Sequence, residues 1–203
     1  MADIIQAIEE LFINRSDVFT IQLDGLNEYK VIKEPINKQI IANHLNGKIT
    51  IGAFQINPND NKVKWICFDF DGDLKEEMEK SKKLFTKLKG MGYSPLLEFS
   101  GRRGYHVWLF IEPTDAKTAR EFATDVSKGT EPHEIFPKQD KIEKTGFGGQ
   151  VKVPLGLHRV SNKWSYLFDD KLEQLTKKDG MKYLMKTDGR DKIKMKNVMK
   201  FFN

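Results

Sequence analysis

The sequence predicts an α+β fold made of an N-terminal α/β lobe and a larger βαββαβ unit. From Val63 onward, apolar segments with strand or helix spacing follow in the order strand, helix, strand, strand, helix, strand. That order is typical of a ferredoxin-like, or RNA-recognition-like, unit. Before Val63, helical periodicity and one strand-like run indicate the separate lobe.

The N-terminal lobe is predicted over about residues 1–60. Its first helix is indicated by apolar residues at helical spacing: Ile4, Ile5, Ile8, Leu11 and Phe12. A second helix is expected from Pro35, a favoured first-turn residue, to Gly47. The run Ile49–Ile56 is then expected to form a strand.

The βαββαβ unit is predicted over about residues 61–168. Its four strands are expected at Val63–Phe70, Pro95–Phe99, Tyr105–Ile111 and Glu134–Phe136. Its helices are expected from Leu74 to Gly90 or Gly92, and from the N-cap Thr114 to Gly129. Segments 150–155 and 164–168 are further strand candidates. In such a unit the first and third strands are central antiparallel neighbours, so the end of the first should face the start of the third.

The composition indicates a globular protein with a basic C-terminal segment. The 203 residues are 39% hydrophobic and 11% aromatic, which is atypical of a disordered chain. The net charge of +5 is concentrated in residues 171–203, which hold ten Lys or Arg and four Asp or Glu. We therefore predict a catalytic domain over residues 1–168 and a basic helical segment over residues 169–203. The segment is either a solvated helix face or a nucleic-acid contact, through Lys192, Lys194 and Lys196.

The single cysteine, Cys67, excludes an intrachain disulfide and a Cys-rich zinc site, and it suits a reducing compartment. No window holds the roughly 18 apolar residues that a membrane helix needs. The start of the chain carries no secretory pattern. We therefore expect a cytoplasmic protein without membrane contact.

Two aspartates end the first strand of the unit. In the segment Phe68-Asp69-Phe70-Asp71, strand alternation places both carboxylates on one face and both rings on the other. Paired carboxylates repel each other unless a cation lies between them, and Mg²⁺ prefers carboxylate oxygen. The segment therefore predicts a site for Mg²⁺ or Mn²⁺. The alternative is an acidic turn before the next helix, where Asp73 fits as a helix-start residue.

A turn rich in glycine and arginine precedes the third strand: Ser100-Gly101-Arg102-Arg103-Gly104-Tyr105-His106. Backbone N–H groups exposed together with guanidinium groups suit phosphate oxygens. His106 is expected beside Asp69 and Asp71. Taken alone, the turn is typical of a plain hairpin and the histidine of an ordinary core residue. Beside the aspartate pair, we interpret them as a phosphate site.

A third group of residues follows in segments 134–140 and 146–159, where a glycine-rich turn leads into a strand. Lys152, His158 and Arg159 are candidates to contact a triphosphate or the backbone of a nucleic acid. Asp140 is a candidate third carboxylate, and the alternative interpretation is a solvent-exposed loop acid.

These segments together resemble the archaeo-eukaryotic primase superfamily, in particular its primase-polymerases. The family's Asp-x-Asp motif at a strand end resembles Asp69-Phe70-Asp71, and its Ser/Gly-rich turn closing on a histidine resembles Ser100–His106. The resemblance covers roughly His44–Phe168. Four further segments are similar to the branch found in CRISPR-associated primase-polymerases and mobile-element conflict systems: residues 43–47, 50–52, 136–140 and 153–159.

The resemblance implies an archaeo-eukaryotic primase fold and template-directed nucleotidyl transfer with two divalent metal ions, Mg²⁺ or Mn²⁺. It implies a single-stranded DNA template, a primer, and NTP or dNTP as partners, and CRISPR adaptation or mobile-element replication proteins as further candidates. The metal-binding and catalytic residues would be Asp69, Asp71 and Asp140, with Glu134 or Asp170 as alternatives to Asp140. The nucleotide-binding residues would be Ser100, Arg102, Arg103, His106, His158 and Arg159. No zinc is expected.

Two other functions fit parts of the sequence. Residues 68–72 resemble the Asp-x-Asp-Gly opening of haloacid-dehalogenase-like phosphatases, in which Asp69 would be the nucleophile. That reading leaves Asp73 and the turn before His106 unexplained. A non-catalytic RNA-recognition-like module would display aromatic residues for stacking on bases, whereas the central strand here ends in acids.

Overall fold

The computed structural model describes residues 2–187. Within them the chain forms five helices: α1 (Ala2–Phe12), α2 (Lys38–Leu45), α3 (Leu74–Gly90), α4 (Ala116–Val126) and α5 (Lys177–Lys186). The same residues form eleven strands: β1 (Phe19–Gln22), β2 (Tyr29–Ile32), β3 (Ile51–Phe54), β4 (Lys62–Asp71), β5 (Leu96–Phe99), β6 (Gly104–Asp115), β7 (Glu134–Phe136), β8 (Gln150–Lys152), β9 (Leu157–His158), β10 (Lys163–Trp164) and β11 (Tyr166–Leu167). Lys192, Lys194 and Lys196 lie outside the described residues.

A five-stranded antiparallel sheet in the order β11-β5-β6-β4-β7 forms the centre of the molecule. The four strands of the predicted unit take the spatial order second, third, first, fourth, which confirms the βαββαβ arrangement. β4 and β6 are the central partners, with Asp69 opposite His106 and Asp71 opposite Gly104. The expected meeting of the end of one strand with the start of the other is therefore confirmed.

Helices α3 and α4 cover one face of this sheet. Phe68 and Phe70 of β4 are fully buried in the core on that face, together with Leu84 of α3 and Phe122 of α4. Successive side chains of a strand point to opposite faces, so the aspartates that alternate with these rings point away from the helices. The predicted separation of acids and aromatic rings is confirmed.

The opposite face of the sheet packs against the N-terminal lobe. Trp65 of β4 and Trp108 of β6 contact each other there, with ring centroids 5.1 Å apart. Phe12 of α1 meets the Trp108 ring edge-on at 5.0 Å, and its carbonyl oxygen accepts a hydrogen bond from Trp65 Nε1 at 2.9 Å. This core extends to residues of α2, β3, β8 and α5, among them Leu184. Buried aromatic surface thus fixes the lobe over the sheet.

The lobe contains a second antiparallel sheet in the order β2-β1-β3-β8, and its fourth strand, β8, joins it from outside the predicted range of about residues 1–60. The prediction of a strand within 49–56 is confirmed by β3, whereas β1 and β2 were not expected. Each has only four residues, and the middle two residues of the edge strand β2 are exposed. Such short, partly polar segments carry little apolar periodicity, so their pairing is decided by the sheet they join.

Two predicted helix starts were wrong. Asn37 caps α2, accepting a hydrogen bond from the Ile40 N–H at 3.0 Å, so Pro35 lies outside the helix. α4 begins after Asp115 rather than after Thr114, because β6 continues its pairing with β4 as far as Asp115. None of the helices within residues 2–187 is long and apolar enough to cross a membrane.

Candidate functional site

A cleft of about 270 Å³ lies between the facing surfaces of the two larger sheets. The five-stranded sheet and its neighbouring turn contribute six of the predicted site residues: Asp69, Asp71, Ser100, Arg102, Arg103 and His106. Lys152 of β8 and His158 of β9 also line the cleft. Arg159 and Asp140 do not. The cleft therefore brings together most of the residues selected from the sequence, with acids and bases on neighbouring strands.

Four polar residues form a row across the five-stranded sheet. Glu134 of β7 is the register partner of Asp69, Asp69 is the partner of His106, and His106 is the partner of Glu98. Neighbouring strands lie about 4.8 Å apart, so side chains at paired positions on one face are adjacent. The row thus consists of two carboxylates, one imidazole and a third carboxylate, of which the first three line the cleft.

The two aspartates of β4 differ in their surroundings. Burial raises the pKa of Asp69, and the charges of Asp71 and Glu134 add to this, whereas His106 opposes it. The His106 Nε2 atom lies 3.6 Å from Asp69 Oδ1. Asp71 is paired with Arg103, whose guanidinium donates hydrogen bonds of 2.7 and 3.2 Å to its two oxygens. The cleft therefore holds a concentration of negative charge. Within the described part of the chain, Arg103 contacts the Asp71 carboxylate and His106 lies beside that of Asp69.

The turn before β6 depends on two glycines. Gly101 has φ of +99°, and a Cβ atom there would lie 2.9 Å from the His158 Cβ. At Gly104 a Cβ atom would lie 2.4 Å from the carbonyl oxygen of Phe70. Only glycine fits these positions without displacing the backbone. The turn is thereby pressed against the end of β4, which brings Arg103 to Asp71.

Glu98 lies at the end of the polar row and is fully buried. Its Oε2 atom accepts hydrogen bonds of 3.0 Å from His106 Nδ1 and from Trp108 Nε1, and its Oε1 atom accepts one of 3.2 Å from Lys152 Nζ. Burial acts to raise the pKa of Glu98, but Lys152 and His106 outweigh it and lower this pKa to about 2. Burial likewise acts to lower the pKa of His106, and Glu98 outweighs it and raises this pKa.

The basic pair at residues 158 and 159 is split by the structure. The His158 ring lines the cleft, and burial and the nearby Lys152 and Arg102 charges lower its pKa to about 4. Arg159 instead joins segments of the lobe, donating to Thr50 Oγ1 at 3.0 Å and to the Gly47 carbonyl oxygen at 2.7 Å. The Arg159 side chain thus has structural partners away from the cleft.

His44 connects the same segments. Its Nδ1 atom accepts a hydrogen bond of 3.1 Å from the Ile51 N–H, and its Nε2 atom donates one of 3.0 Å to the Pro154 carbonyl oxygen. Burial and the Lys152 charge lower the pKa of His44 to about 3. At Gly156 a Cβ atom would lie 2.1 Å from the imidazole carbon Cε1. The two motifs that contain His44 and Gly156 therefore fit together as a structural support.

The candidates for a third carboxylate lie in different places. Asp140 is on the loop after β7 and is paired with Arg120 of α4 at 2.7 Å. Asp170 is paired with Lys89 at 2.7 Å. Glu134, the alternative considered from the sequence, lines the cleft beside Asp69. Among these three acids, the fold brings only Glu134 to the aspartate pair.

The far side of the cleft is formed by residues that the sequence analysis did not select: Asn27, Tyr29 and Gln150. Burial and the charges of Glu98 and Asp69 raise the pKa of Tyr29 above its ordinary value. Asn27 and Tyr29 belong to the β1–β2 hairpin, which was not predicted. Glu98 could have been selected, because a charged residue in a strand of otherwise apolar residues is rarely buried without a partner.

The donor set of the cleft fits a divalent cation in its chemistry. Among residues 2–187, no three His, Cys, Asp or Glu side chains already converge closely enough to hold a metal ion. Asp69, Asp71 and Glu134 nevertheless supply carboxylate oxygens, the ligands that Mg²⁺ and Mn²⁺ prefer. Burial is the main cause of the raised pKa of Asp69, and the charges of Asp71 and Glu134 add to it; a cation between these carboxylates would relieve that added repulsion.

Two solved structures resemble this one to different degrees. The polymerase domain of Mycobacterium tuberculosis Ligase D, solved in complex with DNA, matches with a TM-score of 0.55 and 12% sequence identity, over 93% of this chain and 87% of that one. Primase RepB' matches with a TM-score of 0.49 and 11% identity, over 98% of this chain and 65% of that one. The similarity to the polymerase domain concerns the fold. A comparison with curated protein sequences gave no match.

Residues 26–198 match the family described as the archaeo-eukaryotic primase domain of the TOTE conflict system. The matched range contains the complete βαββαβ unit, the glycine-arginine turn and all the residues that line the cleft. On this match, and with the fold expected for it, the chain belongs to the archaeo-eukaryotic primase domain family of TOTE conflict systems.

Proposed function

We propose that this protein is a DNA-directed primase-polymerase, which adds nucleotides from NTP or dNTP to a primer or to an initiating nucleotide on a single-stranded DNA template. One observation carries the proposal: the row Glu134, Asp69 and His106 lies in one cleft with the arginines of the turn. An acidic group that suits divalent cations thus adjoins a basic group that suits phosphates. A nucleoside triphosphate with its bound metal ions needs both the acidic and the basic group.

Membership of the family supports nucleotidyl transfer of the primase or polymerase type. The similar polymerase domain of Ligase D was solved in complex with DNA, which supports DNA as the nucleic acid. The basic residues around the cleft give further support, since phosphate groups dominate the affinity of proteins for nucleic acids. CRISPR adaptation or mobile-element replication proteins stay predicted partners.

Asp69, Asp71 and Glu134 are the residues that we propose to hold divalent cations. When bound there, two Mg²⁺ or Mn²⁺ ions would activate a primer 3′-hydroxyl and neutralise a leaving pyrophosphate. Both Glu134 and Asp140 have a basic partner, Lys138 and Arg120 respectively. We prefer Glu134 as the third carboxylate because it adjoins Asp69 and lines the cleft, which Asp140 does not.

The basic side of the cleft is proposed to bind the triphosphate. Arg102 and Arg103 present planar groups that match phosphate oxygens, and an incoming triphosphate offers Arg103 a partner that competes with Asp71. His106 presents its Nε2 atom to the cleft beside Asp69. Ser100 and His158 line the same space. Positioning and charge stabilisation of this kind supply most of the rate in phosphoryl and nucleotidyl transfer.

The two rival functions explain less of the cleft. A phosphatase that uses Asp69 as its nucleophile leaves the turn from Ser100 to His106 unexplained, although four residues of this segment line the same cleft. An RNA-recognition-like module needs an open sheet face with exposed aromatic rings, whereas Trp65 and Trp108 are buried beneath the lobe. Both alternatives are therefore less well supported than nucleotidyl transfer.

A template-dependent incorporation assay tests the proposal. Purified protein is given single-stranded DNA of defined sequence, with and without an annealed primer, and with NTP or dNTP in the presence of Mg²⁺ or Mn²⁺. We expect products whose sequence follows the template. Failure to incorporate any nucleotide under all these conditions, or incorporation regardless of template sequence, would contradict the proposal.

A further inference from the structure

Glu98 is a charged residue in an unusual place: it does not line the cleft but lies beneath His106, which does. Its side chain has 0% exposure, and that of Lys152 has 4%. The carboxylate accepts hydrogen bonds from His106, Trp108 and Lys152. Both of its oxygens are therefore used, and no lone pair faces solvent.

Burial of such a group carries a large desolvation penalty, which its partners offset. Apolar replacements of buried ion pairs are often neutral or stabilising, so stability alone is a weak reason for a charge at this point. Its neighbours in the strand, Leu96 and Leu97, are ordinary apolar core residues. The position of Glu98 under the cleft, rather than elsewhere in the core, indicates a role in the site.

The contacts of His106 show what Glu98 controls. A carboxylate that stays ionised only accepts hydrogen bonds, so Nδ1 of His106 carries the proton of the 3.0 Å bond. The edge-on Trp108 ring, 5.7 Å away between centroids, limits rotation of the imidazole. The other nitrogen, Nε2, then faces Asp69 at 3.6 Å and the cleft. One ring nitrogen, Nδ1, is thus bound to Glu98, and the other, Nε2, is left for a ligand.

Lys152 fixes Glu98 from the opposite side. Its ammonium group donates to Glu98 Oε1 at 3.2 Å and to the Val153 carbonyl oxygen at 3.2 Å. The lysine comes from β8 and Glu98 from β5, so the ion pair connects the two sheets that form the cleft. The orientation of His106 therefore depends on both sheets being in place.

We propose that Glu98 is a positioning residue, which orients the His106 imidazole so that Nε2 contacts the phosphates of the bound nucleoside triphosphate. The inference rests on the proposed function, because it takes the triphosphate as the ligand of the cleft. Glu98 itself does not touch the nucleotide. Its effect passes through His106.

The test is a double-mutant cycle on nucleotide affinity. Equilibrium binding of a nucleoside triphosphate with Mg²⁺ is measured without template or primer, for the wild type, Glu98→Gln, His106→Ala and the double variant. Gln keeps the shape of Glu98 but turns one acceptor into a donor. We expect Glu98→Gln to weaken binding about tenfold, the scale of a lost charge-assisted hydrogen bond. In the His106→Ala background it should weaken binding no further, within about twofold.

Two controls accompany the cycle. Glu79→Gln is a matched substitution on the exposed face of α3, where the side chain is 73% exposed, and should leave the affinity unchanged. Glu98→Gln combined with Arg102→Ala should show additive losses, because no contact joins these residues. If Glu98→Gln weakens nucleotide binding by the same tenfold in the His106→Ala background, the inference is overturned, since Glu98 would then act by another route.

A measurement on the wild-type protein covers the case in which Glu98→Gln does not fold. Nuclear magnetic resonance with ¹⁵N-labelled histidine, assigned by the His106→Ala spectrum, reports which ring nitrogen carries a proton. We expect a slowly exchanging, downfield Nδ1–H of His106. A bare Nδ1 would overturn the inference. If the effects of the Glu98 and His106 substitutions on nucleotide affinity are coupled but no template-directed product forms, the proposed function is contradicted and the role of Glu98 stands. If template-directed products form but the two effects are additive, the proposed function stands and the role of Glu98 is contradicted.

Discussion

Replacing Asp69 with Asn separates the charge of this side chain from its packing. Asp and Asn have nearly the same shape, so the packing around the side chain, which is 23% exposed in Asp69, is preserved. Its pKa is raised by burial and by Asp71 and Glu134, so the ionised form is less favourable in the folded protein than in the unfolded chain. Wherever Asp69 is ionised, its charge therefore reduces stability, and the reduction disappears as pH falls through the folded-state pKa.

The expected changes in activity and stability have opposite signs. Loss of a carboxylate that holds a catalytic cation removes several kcal/mol of transition-state stabilisation, or at least about 1000-fold in turnover. Relief of the repulsion with Asp71 and Glu134 should raise the free energy of unfolding by about 1 kcal/mol, a typical gain for a destabilised site residue. In a chain of this size, that corresponds to a Tm increase of about 2–4 °C.

Primer extension and thermal unfolding are measured on the same preparations. Asp73→Asn is the matched control, since Asp73 caps α3 by accepting hydrogen bonds from the N–H groups of Lys75 and Glu76. Asn caps helices equally well, so this variant should keep both activity and Tm. Added Mn²⁺ should raise the Tm of the wild type and not that of Asp69→Asn. Extension at the wild-type rate by Asp69→Asn, or a Tm several degrees lower, would refute the reasoning.

Three further predictions concern other parts of the molecule. His106→Ala should raise KM for the nucleotide about tenfold in steady-state extension assays, and a fall in turnover at saturating nucleotide with unchanged KM would show that its role is misassigned. Glu134→Gln should reduce primer extension at least about 100-fold. Asp140→Asn should leave extension unchanged, because the half-exposed ion pair of Asp140 with Arg120 contributes under about 1 kcal/mol to stability. The reverse pattern would make Asp140 the third carboxylate. The pKa of His44 falls from 6.5 to about 3 on folding, so the free energy of unfolding should decrease as pH falls from 6.5 towards 3, by up to about 1.4 kcal/mol per pH unit. Urea titrations at several pH values check this, and a His44→Gln variant with an unchanged slope would contradict it.

Much of the fold could be predicted because it depends on local periodicity. The order of the βαββαβ elements follows from apolar spacing, and the pairing of β4 with β6 follows from that order. The strands β1 and β2 could not be predicted, because four residues carry too little pattern. Tyr29, which they bring to the cleft, was therefore missed as well.

The basic residues of the third motif illustrate the limits of composition. Lys152 and Arg159 were both selected as contacts for anions. In the folded protein Lys152 is the buried partner of Glu98, and Arg159 donates to Thr50 and to a backbone carbonyl in the lobe. A sequence pattern indicates that a cation is present, but the nearest acid or carbonyl in space decides what the cation binds.

The sequence by itself determined the placement of Asp69 and Asp71 on the face opposite Phe68 and Phe70, since a strand has a side-chain period of two and the rings must be buried. Only the tertiary structure decided which acids join them. Glu134 reaches the pair because β7 aligns with β4 in one particular register. Glu98 lies beside His106 because β5 aligns with β6, and donors from two sheets compensate its burial. Register and charge compensation arise from contacts between residues far apart in the chain, so no local pattern specifies them.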